Sequence, residues 1–325
     1  MTVKDRVLAA LEAHRGEALS GERLARDLGV SRAAVWKAID QLRAVGHQID
    51  AQPRRGYLLA QESHVLSAQS IAQWCAVPGL SIEVRDTVDS TNTVLRAQAE
   101  AGAPEGTVLI ADHQTAGRGR RTNGFFSPPG TGLYLSVLLR PQLEAKDALC
   151  LTTAAAAAVA LAIEDVAQVP AQIKWVNDVF CHGRKVCGIL TEAALDLESG
   201  GLSYAVVGLG VNLCPPEGGL PAELEGIAGA VFADRAASDA QRSRLAGRIL
   251  ERFFAYYRAL PERPFFADYR ARSFVLGQPI DVLEGGGSRP ATALDLGEDF
   301  SLRIREADGT ERWLGSGQVR IRPKG

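Results

Sequence analysis

The chain has 325 residues, and its 36 lysines and arginines against 38 aspartates and glutamates give a formal net charge of −2. This balance excludes a protein that binds nucleic acid through bulk positive charge alone. With 46% hydrophobic and 23% charged residues the composition is that of a globular protein, and the length predicts two or three domains. No run approaches the roughly 20 consecutive apolar residues of a membrane helix, and no signal peptide is visible, so we expect a cytoplasmic protein without a membrane partner.

The N-terminal 60 residues carry a local excess of positive charge, with ten lysines and arginines against seven acidic residues. Apolar residues recur at helical spacing from Val3 to Leu11, and two further helical patterns follow on either side of Gly29. Ser20 and Ser31 stand where helix N-caps are expected, and Gly29 suits a helix C-cap. Helix, glycine-containing turn and helix in this order predict a helix-turn-helix.

Two short alternating runs, at residues 48–52 and 56–59, follow the third helix and are joined by a turn with two arginines. They complete a winged helix-turn-helix with a basic wing tip. The predicted DNA-binding residues lie at the start of the third helix and in the wing: Ser31, Arg32, Ala33, Lys37, Arg54 and Arg55. Trp36 could face DNA or the core, and the whole domain could instead be a protein-docking module or a vestigial fold.

Beyond about residue 63, strand-like and helical segments are mixed. Strands are expected at 81–84, 107–111, 133–139, 172–175, 186–190 and 204–209, and long helices at about 147–167 and 238–260. Strands and helices do not alternate regularly, and neither a dinucleotide-binding G-x-G-x-x-G nor a Walker A motif is present. We therefore predict an α+β domain, a mixed β-sheet with packed helices, rather than a Rossmann fold.

Short strand-like runs separated by glycines fill the chain from Pro279 to Ile321. This spacing predicts a small C-terminal β-barrel, which carries no catalytic motif of its own. The expected domains are therefore residues 1–62, 63–272 and 273–325.

A cationic, glycine-containing loop follows the strand that ends near Asp112. Its sequence, Gly117-Arg118-Gly119-Arg120-Arg121, places three arginines within four positions. Glycines let backbone N–H groups approach an anion, and guanidinium groups can contact a carboxylate or a phosphate through two hydrogen bonds. The loop predicts an anion site, although an exposed basic loop or a nucleic-acid patch would have the same composition.

Two further polar clusters fall at strand and helix ends. Lys174, Asn177 and Asp178 close one strand and Lys185 begins another, so together they could hold a polyphosphate and its magnesium ion. Alternatively, both lysines lie on the surface and Asp178 merely starts a turn. Residues 89–93 offer short polar side chains at a helix start, where N-capping alone would also explain them.

The motifs occur in a fixed order along the chain. They are S-T-N from Ser90, G-R-G-R-R from Gly117, S-P-P-G-x-x-L-Y-L-S from Ser127, K-W-x-N-D from Lys174, K-x-x-G-I-L from Lys185 and V-V-G-x-G-V-N from Val206. This ordered set resembles the biotin protein ligases. With the winged helix-turn-helix, the chain is similar over essentially its whole length to the bifunctional form of that family, the biotin operon repressors.

The resemblance implies an ATP-dependent, AMP-forming ligase. Biotin and MgATP would give biotinyl-5′-adenylate and pyrophosphate, and a lysine in the biotin carrier domain of acetyl-CoA carboxylase would then attack the mixed anhydride. It further implies a catalytic domain like that of the class II synthetases and a C-terminal SH3-like domain. It also implies a homodimer that forms when adenylate is bound and recognises the operator DNA of biotin biosynthesis genes.

Site residues follow from the resemblance motif by motif. Lys185 and Arg118 would be catalytic, because cations offset the charge that grows as biotin's carboxylate meets the α-phosphate. The implied biotin-binding residues are Ser90, Thr91, Asn92, Gln114, Gly117, Arg118, Arg120, Lys185 and Gly188. The implied residues for ATP or adenylate are Arg118, Arg120, Arg121, Lys174, Asn177, Lys185 and Asn212, with Asp178 as a candidate magnesium ligand.

Three departures from the family pattern leave parts of the site undefined. Thr122, Asn123 and Phe125 stand in a stretch where the family usually has glycine, arginine, a variable residue and tryptophan. Val176 replaces the usual proline of the K-W-P-N-D motif, which should alter turn rigidity more than charge. Gln318 stands where glutamate is common.

Two alternatives to a ligase that also represses transcription stay open. One is a ligand-sensing transcription factor without ligase chemistry, and the other is a ligase with a purely structural winged domain. The retained arginines and lysines favour the enzyme, because a sensor of biotin alone would need no ATP site. The sequence does not indicate which operator is bound, which carrier protein is native or how tightly a dimer forms.

Overall fold

The computed structural model describes residues 2–61, 63, 65–120, 123–196, 200–232, 237–260, 262–316 and 320–323. Arg121, Thr122 and Gln318, which the sequence singled out, lie outside these residues. The chain divides into two compact units. The first is Met1–Ala76 with Ser238–Arg248, and the second is Val77–Ala237 with Ile249–Gly325.

The first unit opens with three helices, α1 (Val3–Ala13), α2 (Gly21–Leu28) and α3 (Arg32–Ala44). The hydroxyl groups of Ser20 and Ser31 cap α2 and α3 by accepting hydrogen bonds from backbone N–H groups in the first turn. Gly29 ends α2 at φ 63°, a left-handed conformation that costs glycine little because it has no Cβ. The predicted helix-turn-helix is confirmed.

Three short strands complete the predicted wing. They are β1 (Ala18–Leu19), β2 (Ile49–Gln52) and β3 (Gly56–Leu59), in the antiparallel order β1-β3-β2. A short helix, α4 (Ala68–Ala72), follows. The apolar faces of the helices and the hairpin share one core, whose fully buried residues include Val7, Leu11, Val35, Ile39 and Leu59.

The second unit is built on a seven-stranded mixed sheet in the order β4-β5-β6-β10-β9-β8-β7. The strands are β4 (Ser81–Val88), β5 (Thr107–Gln114), β6 (Gly132–Leu139), β7 (Gln172–Lys174), β8 (Asp178–Cys181), β9 (Arg184–Leu195) and β10 (Leu202–Asn212). β4 and β5 pair in parallel, whereas the other neighbouring strands are antiparallel. The expected α+β domain is confirmed.

The remaining helices are α5 (Thr91–Glu100), α6 (Leu149–Ala167), α7 (Asp239–Arg258) and α8 (Phe265–Arg272). Contrary to the expectation from the sequence, the segment Ala145–Ala167 is long and apolar enough to cross a membrane by length and composition. One such helix is weak evidence for a membrane span, and 72% of its apolar window is buried inside the protein. Small alanine side chains let α6 pack closely on β7 to β10, as expected of a core helix.

Five C-terminal strands form an antiparallel sheet in the order β14-β13-β12-β11-β15. They are β11 (Pro279–Glu284), β12 (Gly287–Leu296), β13 (Leu302–Glu306), β14 (Glu311–Leu314) and β15 (Arg320–Pro323). Phe300, just before β13, stacks on Phe265 of α8 with ring centroids 5.6 Å apart. The predicted group of short C-terminal strands is therefore confirmed as an antiparallel sheet that packs on α8.

Candidate functional site

A cavity of about 370 Å³ lies in the second unit. Most of the residues predicted from the sequence line it, namely Ser90, Thr91, Asn92, Gln114, Arg118, Arg120, Lys174, Asn177, Asp178, Lys185 and Gly188. Strand pairing brings these distant segments together, because Gly188 of β9 pairs with Asp178 of β8 on one side and with Gly210 of β10 on the other. The sheet therefore places the separate motifs around one space.

Glycines on β9 and β10 create room in this cavity. A Cβ at Gly210 would lie 2.5 Å from the ring of Phe125, and a Cβ at Gly208 would lie 2.1 Å from Oδ1 of Asn92. Both distances are far below van der Waals contact, so any side chain there would displace Phe125 or Asn92. The sequence did not predict Gly208, Gly210 or Phe125 as site residues, although both glycines lie within the V-V-G-x-G-V-N motif.

Four lining residues, Ser90, Thr91, Asn92 and Gln114, form a hydroxyl–amide cluster with the fully buried Ser136 behind them. The Ser136 hydroxyl lies 2.7 Å from both the Thr91 hydroxyl and Oδ1 of Asn92. Oε1 of Gln114 accepts from the Thr91 backbone N–H at 2.9 Å. Ser90 is the N-cap of α5, but its side chain makes no capping hydrogen bond, so capping alone does not explain this motif.

Glu192 connects this cluster to the glycine-arginine loop. Its Oε2 accepts from Nδ2 of Asn92 at 3.0 Å, and its Oε1 lies 3.0 Å from Nη1 of both Arg118 and Arg96. Hydrogen bonding to Tyr204, together with the negative charge of Glu192, raises the pKa of Arg96. Glu192 was not predicted as a site residue. It follows the cavity-lining Gly188 and Leu190 at a spacing of two along β9, and residues at this spacing share one face of a strand. That period of two is a signal for Glu192.

The glycine-arginine loop folds back on itself. The Phe125 N–H donates to the Gly117 carbonyl and the Gly119 N–H donates to the Asn123 carbonyl, both at 2.8 Å. Gly117 is not among the lining residues, but a Cβ there would lie 2.3 Å from the Phe125 carbonyl oxygen, so the fold-back requires glycine. We call the described part of this loop, residues 117–120 and 123–125, the Gly-Arg hairpin.

Arg120, at the far end of this hairpin, contacts two other segments. Its Nη1 donates to Oδ1 of Asn177 and its Nη2 donates to the Ser316 carbonyl, both at 3.0 Å. The arginine therefore joins the hairpin to the K-W-x-N-D turn and to the segment after β14.

The second cationic group, Lys185 of β9, lies beside the K-W-x-N-D turn. Nζ of Lys185 lies 2.7 Å from Oδ1 of Asp178, and both side chains are partly exposed in the cavity. The Trp175 indole N–H donates to the Phe300 carbonyl at 2.8 Å, and the peptide bond from Trp175 to Val176 is cis.

The Val176 carbonyl accepts from the Tyr269 hydroxyl at 3.1 Å. Burial, and then the negative charge of Asp178, raise the pKa of Tyr269, which keeps it a neutral donor. Helix α8 and the C-terminal sheet thus hold the turn in place, a support that the sequence did not reveal.

Besides Gly117, two implied ligand residues are not among those described around this cavity. Asn212 lines a smaller neighbouring cavity, and its Nδ2 donates to the Gly229 carbonyl at 3.1 Å. Arg121 lies outside the described residues.

In the first unit, the predicted DNA-binding residues lie on the solvent-facing side of α3 and at the wing tip. Arg32, Ala33 and Lys37 are exposed on α3, whereas Val35 and Ile39 on its other face are fully buried. Arg54 and Arg55 are exposed between β2 and β3. Trp36 is 60% exposed, so it belongs to the outer face and not to the core.

Known proteins share both parts of the chain. A helix-turn-helix domain model matches residues 4–58, and the model of the biotin/lipoate A/B protein ligase family matches residues 84–212. The bifunctional ligase/repressor BirA of Bacillus subtilis is 33% identical over 296 residues, covering 90% of this chain and 84% of that protein. The corresponding BirA of Escherichia coli is 27% identical over 326 residues, with coverage of 99% and 98%.

A solved structure supports the same relationship. The biotin protein ligase of Aquifex aeolicus in complex with biotin and ATP matches with a TM-score of 0.61 and 27% identity, covering 75% of this chain and 99% of that one. The sequence similarity to BirA extends over both the helix-turn-helix and the ligase region. The chain therefore belongs to the family of bifunctional biotin protein ligases and repressors.

Proposed function

We propose that this protein activates biotin with ATP and transfers the biotinyl group to a lysine in the biotin carrier domain of acetyl-CoA carboxylase. The observation that carries the proposal is the convergence of a hydroxyl–amide cluster and four cationic side chains, Arg118, Arg120, Lys174 and Lys185, on one cavity. A neutral polar ring and a chain of phosphates require these two kinds of partner.

In the first step, a carboxylate oxygen of biotin attacks the α-phosphorus of ATP, and the bond to pyrophosphate breaks. Both reactants are anions, so cations that hold them together lower the barrier. We assign this role to Lys185 and Arg118. Arg120, Lys174 and Asn177 would hold the nucleotide phosphates, and the family motifs alone assign Arg121 and Asn212 to the adenylate.

The hydroxyl–amide cluster suits the ureido ring of biotin, which offers one carbonyl acceptor and two N–H donors. Ser90, Thr91, Asn92 and Gln114 supply hydroxyl and amide groups whose positions are fixed by hydrogen bonds. Gly188, across the cavity, would let the ligand approach the backbone of β9. Such prearranged partners favour biotin over analogues that lack the ring N–H groups.

Magnesium would enter with ATP. Among the described residues, no group of three or more His, Cys, Asp or Glu side chains is arranged so that it could hold a metal ion. Mg²⁺ commonly takes only one or two protein carboxylates together with substrate phosphates, and Asp178 fits as one such ligand. The ion would offset negative charge on the phosphates, while Asp178 also orients Lys185 through their ion pair.

In the second step, the amine of the carrier lysine attacks the acyl carbon of biotinyl-5′-adenylate, an amide bond forms, and AMP leaves. No protein nucleophile is needed. Arg120 would keep the reactive anhydride covered, because its two contacts hold the Gly-Arg hairpin to the turn and to the segment after β14.

The winged domain would bind the operator of biotin biosynthesis genes. The excess of three positive charges over residues 1–60 is modest, so one copy should bind DNA weakly, and specificity would come from an adenylate-promoted homodimer on two half-sites. We assign residues 1–62 to DNA binding, 63–272 to a class II synthetase-like catalytic domain and 273–325 to an SH3-like barrel. The antiparallel order of the C-terminal strands supports the last assignment.

Incorporation of labelled biotin into a purified carrier domain tests the ligase directly. We expect incorporation that requires ATP and the carrier lysine. Tight biotin binding without incorporation would instead support the ligand-sensing transcription factor.

A DNA titration on the promoter of the host's biotin genes, with and without adenylate, tests the repressor. Equal binding to random DNA would favour a structural winged domain.

A further inference from the structure

Glu192 is the meeting point of three donors in the second unit. The guanidinium groups of Arg96 and Arg118 and the amide of Asn92 all converge on its carboxylate, each at 3.0 Å. The Glu192 side chain is only 17% exposed. Isolated surface ion pairs contribute little to the stability of a protein. A carboxylate that is largely shielded from solvent and shared by two arginines and an amide forms a network that can fix the position of a side chain.

The two arginines on Glu192 differ in what else they reach. Arg118 belongs to the Gly-Arg hairpin and lines the cavity, whereas Arg96 belongs to α5 and is not among the lining residues. Arg118 contacts Glu192 through Nη1, and a guanidinium has five N–H donors in a planar fork. The Nε and Nη2 edge of Arg118 can therefore serve an anion while Nη1 stays on Glu192.

We propose that Glu192 is a positioning residue: it holds Arg118 at the cavity edge before ligand arrives and so fixes the Gly-Arg hairpin to the hydroxyl–amide cluster. An arginine side chain loses rotamer entropy when it is held in one conformation, and prior ordering removes part of that cost from ligand binding. The identity of the anion that Arg118 then meets rests on the proposed function. The placement of the hairpin by Glu192 does not rest on that function.

A competing role of Glu192 predicts the opposite change in the affinity for the anion. If Glu192 only competed with the ligand for Arg118, removing its charge would free the arginine and tighten anion binding. If Glu192 only stabilised the fold, the loss of either arginine contact would have the same effect. Glu192→Gln separates these roles because it keeps the size of the side chain and an oxygen acceptor but removes the charge. Arg96→Gln is the matched control, since it breaks the other ion pair on the same carboxylate.

The first measurement uses the ligand-free full-length protein. Hydrogen exchange is followed at the amides of Gly119 and Phe125, which close the hairpin. We expect roughly tenfold faster exchange in Glu192→Gln and in Arg118→Ala, the scale of a lost hydrogen bond to a charged group, but less than a twofold change in Arg96→Gln. Exchange in Glu192→Gln that matches the wild type, or equals that of Arg96→Gln, overturns the proposal.

The second measurement follows release of preformed biotinyl-5′-adenylate. Glu192→Gln should release it about tenfold faster than the wild type, and should add nothing further in an Arg118→Ala background, because the two residues act as one unit. Slower release in Glu192→Gln, or independent effects in the double variant, overturns the positioning role. A wild-type protein that makes no adenylate would defeat the proposed function instead, and the exchange data would still decide the role of Glu192.

Discussion

The cavity of the second unit and the outer face of α3 hold their functional side chains in opposite ways. In the cavity, Asn92 and Thr91 are buried and bonded to their neighbours, and Lys185 and Arg118 are tied to carboxylates. On α3, Trp36 is 60% exposed, and the opposite face of the helix is buried. The cavity is arranged by the protein before a ligand arrives, whereas the helix face would be arranged by its partner. Substitutions in the two regions should therefore fail differently.

The largest effect is expected for Lys185→Ala. The lysine would act on charge that develops at the α-phosphate, so adenylate synthesis should fall by a factor on the order of 100 to 1000, while biotin binding and the fold persist. Pyrophosphate release and biotin titration measure the two properties. Adenylate formation at the wild-type rate would remove Lys185 from the catalytic role.

Ser136→Ala tests whether the cavity is prearranged by buried hydrogen bonds. The Ser136 side chain contacts both Thr91 and Asn92, and its loss removes a buried donor to Oδ1 of Asn92, whereas the Thr91 hydroxyl keeps its hydrogen bond to Gln114. We expect the free energy of unfolding to fall by about 1 to 3 kcal/mol, and biotin to bind more weakly. Denaturant titration of the variant against the wild type checks the first effect. An unchanged unfolding midpoint would mean that the cluster is not held by this hydroxyl.

Arg120→Gly addresses the edge of the cavity. It removes the contacts to Asn177 and to the Ser316 carbonyl, so the hairpin should open more often and adenylate should escape about tenfold faster. Escaped adenylate would label lysines of bystander proteins, which a labelled-biotin blot detects. Adenylate retention equal to that of the wild type would contradict the proposed cover.

Trp36→Ala provides the contrast on the other region. Because the side chain is mostly exposed, stability and ligase activity should stay within error, while operator affinity falls by roughly 1 kcal/mol, about fivefold, through lost apolar contact in the groove. Anisotropy titration on operator and random DNA measures this change. If the variant unfolds more easily but binds DNA normally, Trp36 has a structural role and the contrast fails.

The effect that is smallest at neutral pH concerns a buried residue of the first unit. Burial, and then the charges of Arg15 and Lys4, lower the pKa of His47 from 6.5 to about 4. The unfolded chain therefore takes up the proton first, and stability should be lost as pH falls from about 6.5 to about 4. His47→Gln should flatten that part of the pH–stability curve without changing DNA contacts. A curve with unchanged slope between these pH values would exclude His47 as the titrating group.

The sequence predicted local elements well wherever the signal was local. Ser20, Gly29 and Ser31 marked the helix ends in the first unit, because capping depends only on neighbouring backbone groups. Six of the seven strands of the mixed sheet and the two long helices, α6 and α7, followed from their apolar patterns, but β8 was not predicted. The order of strands in the sheet did not follow from these patterns, since it depends on pairing between distant segments.

The candidate site was predicted as a set of motifs rather than as a geometry. Gly210 and Phe125 became visible only when β9, β10 and the hairpin met, because close approach is a tertiary property. Asn212 was taken from its motif, but its amide bonds to Gly229 beside a different cavity. Glu192 shares the spacing of two with Gly188 and Leu190 on β9, but that spacing became informative only when the structure showed that these two residues line the cavity.

The hydrogen bond from the Trp175 indole to the Phe300 carbonyl has a consequence for how the protein is made. The turn that carries Asn177 and Asp178 is held by a hydrogen bond to a residue translated more than a hundred positions later. During synthesis, this turn lacks that support until the C-terminal sheet has left the ribosome. A chain cut before Pro279 should therefore retain most of the candidate site residues but lack the C-terminal support of this turn.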